Sequence, residues 1–122
     1  MQHSPRFLAL VSAAKARITE LSVDEWASGP PPGAVLVDTR EDHEWQAGHA
    51  LGALHIGKGV LERDAEAALP SLDQPIVLYC GGGFRSALAA AALQDMGYRR
   101  VYSLAGGWKA WLARGLPTEG GP

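Results

Sequence analysis

A single cysteine, Cys80, is all the thiol chemistry that this 122-residue chain offers, which excludes an intrachain disulfide and the paired-thiol spacing of a structural zinc site. Whatever Cys80 does, it does as a thiol. Charge is scarce as well: 20% of the residues are Asp, Glu, Lys or Arg, and 11 basic residues against 13 acidic ones leave a formal net charge of −2. With no Lys/Arg run there is no electrostatic footprint for nucleic acid or an anionic membrane surface, and neither is an expected partner. Long hydrophobic runs are missing too. The longest, Ala87 to Leu93, has seven residues and is mostly alanine, against the ~20 needed to cross a bilayer. A cytoplasmic protein is expected. Its 47% of apolar residues are enough for one domain with a core that holds without metal or disulfide support.

At the N-terminus, Phe7, Leu10, Val11, Ala14 and Ile18 recur at helical spacing and predict one packing face. The competing pattern is a secretory signal, with Arg6, the apolar run Phe7 to Val11 and small residues at Ala14 and Ala16, but the run is short and broken by Ser12. Ala16 to Leu21 reads as a short strand, and Ser22 with Glu25 forms a capping box that opens a helix. Ala34 to Asp38, Ile76 to Cys80 and Val101 to Leu104 are apolar runs of the kind that lie buried on both faces of a parallel sheet. Glu41 to Ala47, Val60 to Leu69, Ser86 to Met96 and Trp108 to Arg114 read as helices, with Gly97 and Gly115 where left-handed C-terminal residues belong. This alternation predicts an α/β fold of three layers, α/β/α, around a central, mainly parallel sheet. The expected organisation is a helix over 1–16, one domain over 17–118 and a flexible tail over 119–122.

The chemistry concentrates in Cys80, Gly81, Gly82, Gly83, Phe84, Arg85 and Ser86, where a buried strand ends and an alanine-rich helix begins. Ligands bind at such strand ends in open α/β sheets. Three glycines remove the Cβ atoms that would block close approach and accept the positive φ that turns several N–H groups towards one point. The start of the helix and the Arg85 charge add positive potential, so thiolate is favoured over thiol at Cys80. The bland alternative, an inert strand-end cysteine followed by a turn, leaves the entropic cost of three glycines unexplained.

Around this loop the chain resembles the rhodanese-like sulfurtransferases from Ile18 to Glu119. Val37 to Glu41 is similar to the family's first signature. Glu44 to Ala53 resembles its acidic-aromatic, Gly-His-Ile-Pro-Gly-Ala segment, with Ala50-Leu51 in place of Ile-Pro and Gly57 where another proline is common. Lys58 to Glu62 is similar to the Arg-Gly-Val-Leu-Glu stretch of single-domain thiosulfate sulfurtransferases, and Leu104 to Trp111 resembles the C-terminal hallmark.

The resemblance implies a thiosulfate sulfurtransferase in which Cys80 takes the sulfane sulfur of thiosulfate as a persulfide, sulfite leaves, and the sulfur passes to cyanide or a thiol. Gly81 to Phe84 and Ser86 would cradle the persulfide, and Arg85 would bind the departing sulfite. The implied partners are a small sulfur donor and a thiol or cyanide acceptor, with a sulfur-acceptor protein as a further candidate. No metal or organic cofactor is implied. Two other classes share the fold: a partner-binding or sulfur-relay module, and phosphatases and arsenate reductases that also carry a cysteine and an arginine in a loop before a helix. Those phosphatases place five residues between the two, and this chain places four.

Other polar residues read as structural. Asp38 is expected to accept loop N–H bonds and Arg40 to pair with a helix carboxylate. His49 is not needed as a base if the loop holds the thiolate, and His3, His43 and His55 lack metal-ligand spacing. Lys58 and Glu62 border the pocket or lie on a solvated helix start. The four tryptophans read as packing.

Overall fold

The computed structural model describes residues 3–120. Seven short strands and six helices alternate along them: α1 (Pro5–Lys15), β1 (Thr19–Leu21), α2 (Val23–Ser28), β2 (Val35–Asp38), α3 (Asp42–Gln46), β3 (His49–Ala50), β4 (Leu54–His55), α4 (Leu61–Ala68), β5 (Ile76–Tyr79), α5 (Phe84–Asp95), β6 (Val101–Leu104), α6 (Gly107–Arg114) and β7 (Thr118–Glu119). Five strands form one sheet in the order β1-β6-β5-β2-β4, every neighbouring pair parallel. The central strand β5 is buried along its whole length, as its unbroken Ile-Val-Leu-Tyr run requires.

Period-two alternation sends successive side chains to opposite faces. Val37, Ile76 and Leu78 join Leu61, Leu69, Ala89, Ala90 and Leu93 beneath α4 and α5. Leu36, Val77, Tyr79 and Leu104 meet Trp111 of α6, with Trp26 of α2 packed against them. The result is the expected three-layer arrangement. Helix α1 lies outside it, with Val11 and Ala14 buried against Ala87 and Ala91 of α5.

Several boundaries differ from the sequence reading. The strand expected from Ala16 begins only at Thr19, because Ala16 still bonds Ser12 and Arg17 bonds Ala14 in the last turn of α1. Phe7, Val11 and Ala14 share one packing cluster with Ile18, which lies beyond the helix, while Leu10 is 61% exposed and leaves the expected face. Helix α5 begins at Phe84 rather than Ser86, since Gly83 at φ 99° already serves as its N-cap. The tail expected from Glu119 starts with a strand: β7 pairs antiparallel with β3, Glu119 opposite His49 and Thr118 opposite Ala50. Gly121 and Pro122 lie outside the described residues.

Candidate active site

Cys80 follows directly on β5, whose last residue, Tyr79, belongs to a buried charge cluster. Asp38, fully buried, accepts hydrogen bonds from the Arg40 backbone N–H at 2.8 Å, from the Arg40 guanidinium at 2.8 and 3.1 Å, and from the Tyr79 hydroxyl at 2.5 Å. Arg40 thus pairs with Asp38, and not with a helix carboxylate as the sequence suggested. Its guanidinium also donates to the Gly48 carbonyl and lies 4.7 Å from the Trp108 ring centroid. Burial pushes the Tyr79 hydroxyl up well above its ordinary pKa, which keeps it a donor to Asp38.

The sulfur of Cys80 accepts from the backbone N–H of Gly83 at 3.1 Å and of Ser86 at 3.3 Å, and its thiol reaches the Ser86 hydroxyl at 3.5 Å. Ser86 in turn touches the hydroxyl of Ser103 at 2.9 Å. Two N–H donors and a rotatable hydroxyl converging on one sulfur form a cradle for negative charge. Its geometry comes from one glycine more than from three. Only Gly83 of the loop has positive φ, and a Cβ there would lie 3.3 Å from the Gly106 backbone N. A Cβ at Gly81 would meet Arg85 at 3.1 Å, while one at Gly82 would meet nothing.

The outer side of the loop is clamped by α6. Trp108 N–H donates to the Cys80 carbonyl at 2.7 Å, and Lys109 N–H donates to the Gly81 carbonyl at 3.1 Å. This approach requires Gly107: at φ 52° it passes so close that a Cβ would sit 2.3 Å from the Cys80 carbonyl oxygen.

Above the sulfur opens a cavity of about 1000 Å³, walled by His3, Phe7, His43, Glu44, Phe84, Arg85, Lys109 and Ala110 together with Gly81, Gly82 and Gly106. Arg85 stands in its wall but is not free. Its two terminal nitrogens hold Glu44 of α3 in a fork at 2.8 and 3.2 Å, and these bonds hold the Glu44 carboxyl at about 2, below its ordinary 4.5. Between Arg40 and Arg85, it is therefore Arg85 that pairs with a helix carboxylate. The sequence assigns none of Glu44, His43, Lys109, His3 and Phe7 to the site, because only the fold brings them to the cavity above Cys80. Ser86 turns inward beneath the sulfur.

His49 is absent from the cavity wall. It stacks on Trp45 at a centroid distance of 3.3 Å, with Nδ1 2.9 Å from the Trp45 carbonyl oxygen. Lys58 lines a separate cavity of about 500 Å³ with Arg40 and Asp42, and Glu62 lines neither.

Comparison with known proteins agrees with this architecture. Residues 15–114 match the rhodanese-like domain model. A thiosulfate sulfurtransferase, GlpE, of Stutzerimonas stutzeri is 40% identical over 79 residues, which are 65% of this chain and 71% of the relative. Among solved structures, the polysulfide-sulfur transferase homodimer of Wolinella succinogenes is similar with a TM-score of 0.78 at 31% identity, over 93% of this chain and 87% of that one. A Rhodopseudomonas palustris protein of unknown function, RPA3614, described as a possible tyrosine phosphatase, gives a TM-score of 0.83 at 32% identity over 98% of both chains. With 100 contiguous residues matched on a parallel sheet that ends in a cysteine loop, the chain belongs to the rhodanese-like domain family.

Proposed function

We propose that this protein transfers sulfane sulfur from thiosulfate to a thiophilic acceptor, cyanide or a thiol, through a persulfide on Cys80. Sulfurtransferase activity as a class is supported by the family match and by relatives named for it. The observation that carries the finer reading is the pair of N–H groups, Gly83 and Ser86, aimed at Sγ. The Cys80 thiolate attacks the outer sulfur of thiosulfate, an S–S bond forms to Sγ, the bond to the inner sulfur breaks, and sulfite departs with its electron pair. The same donors then hold the persulfide, and the Ser86 hydroxyl rotates to donate. Arg85, with N–H groups beyond the two that hold Glu44, attracts the donor and the leaving sulfite.

One named neighbour favours a second reading, phosphatase chemistry. The loop argues against it. A phosphoryl group presents three equatorial oxygens and requires in-line space for its leaving group, whereas here the N–H groups converge on the sulfur itself. Both readings are tested by one pair of assays on the wild type and on Cys80→Ser. Thiosulfate-to-cyanide transfer by the wild type, lost in the variant without a change in circular dichroism, supports the proposal. Cys80-dependent hydrolysis of an aryl phosphate in place of sulfur transfer overturns it.

A further inference from the structure

The cavity above Cys80 is much larger than thiosulfate, whose five heavy atoms occupy on the order of 100 Å³. One wall is aromatic, built by His3, Phe7 of α1 and Phe84 of α5. Phe7 and Phe84 lie 6.3 Å apart, His3 stands 5.3 Å from Phe7 and 4.8 Å from Phe84, and the rings are mutually tilted. His3 and Phe7 precede the stretch that matches the family model, residues 15–114, and Phe84 lies within it, so the segment before that stretch completes the wall. The rest of the rim is polar and unevenly charged. Among the described residues Glu44 is the only acidic one lining the cavity, and Arg85 already neutralises it. Lys109 has no carboxylate within ion-pair distance among the described residues.

An aromatic wall and an uncompensated cation around one nucleophile select a ligand that carries an apolar ring and a negative charge. We infer that the sulfur acceptor of this protein is a small aromatic or similarly flat apolar thiol bearing a carboxylate, its ring against Phe7 and Phe84 and its charge drawn to Lys109. This rests on the sulfur-transfer reading. The acceptor thiolate attacks the outer sulfur of the Cys80 persulfide; its own S–S bond forms, the bond to Sγ breaks, and the electron pair returns to Cys80 as thiolate. No oxidant or reductant enters the balance.

The test compares four acceptors, 4-mercaptobenzoate, 4-methylthiophenol, 2-mercaptoethanol and cyanide, with thiosulfate as donor, in the wild type, Phe7→Ala, Phe7→Leu and Lys109→Gln. Removing the Phe7 ring lowers kcat/KM for 4-mercaptobenzoate about tenfold, the effect of roughly one aromatic contact, and moves 2-mercaptoethanol and cyanide less than twofold. Lys109→Gln produces a loss for 4-mercaptobenzoate that 4-methylthiophenol, uncharged on its ring, does not show. Phe7→Leu keeps the apolar packing of α1, so it carries the test if Phe7→Ala unfolds. Equal losses for all acceptors, or none, overturn the inference. Failure of the underlying reading looks different: the wild type then gains no sulfur on Cys80 from thiosulfate, whatever the acceptor.

Discussion

At the scale of single residues, the site combines demands that sequence identity alone does not separate. Gly82 and Gly83 are neighbours of one type, yet only Gly83 needs a left-handed backbone, and it passes close to Gly106. Gly83→Ala is therefore expected to cost about 2 kcal/mol or more of stability and to distort the N–H bond to Sγ, while Gly82→Ala stays within about 0.5 kcal/mol; chemical denaturation of the two variants checks both. Glu44 is the second case. Its folded pKa, about 2, lies below the ordinary 4.5 because Arg85 bonds the carboxylate. A lowered folded pKa gives stability that is complete above the unfolded value and disappears as pH falls through the folded one. Glu44→Gln should thus be less stable than wild type by about 1 kcal/mol above pH 5, a figure held down by solvent screening of a partly exposed pair. The gap should close between pH 4.5 and 2. A gap independent of pH would show that the pair contributes nothing through its charge.

At the scale of elements, α1 is held to the domain through one face, with Val11 and Ala14 buried on Ala87 and Ala91 of α5 and Phe7 and Phe84 packed beside them. Val11→Ala removes two buried carbon groups and leaves a void, an expected loss of about 2 kcal/mol. Thermal unfolding would register it as a shift of about 8 °C. Which elements were legible follows from their physics. The buried runs of β2, β5 and β6 were readable because strands covered on both faces are uniformly apolar. The capping box at Ser22 and Glu25 was readable because it is local, and both reciprocal bonds form. The two-residue strands β3, β4 and β7 left no periodic trace, since their pairing partners lie far along the chain. The same limit applied to the site: the cysteine loop is contiguous and could be read, whereas the Glu44–Arg85 fork joins residues 41 positions apart and exists only once α3 packs beside α5.

At the scale of the whole molecule, the fold places a sulfur atom where three independent devices meet. The parallel sheet delivers Cys80 at the end of its central strand, the start of α5 turns two N–H groups onto Sγ, and α6 clamps the carbonyls of Cys80 and Gly81 from the other side. The Asp38–Arg40–Tyr79 cluster ties the ends of β2 and β5 together. No helix among the described residues is long and apolar enough to cross a membrane. The central claim is that this convergence equips Cys80 to carry a sulfur atom, and intact-mass spectrometry after incubation with thiosulfate tests it most directly. The account predicts a gain of one sulfur atom on the wild-type chain, localised to the peptide containing Cys80, reversed by cyanide and absent from Cys80→Ser. A wild-type mass unchanged by thiosulfate under conditions where the protein is folded would contradict it.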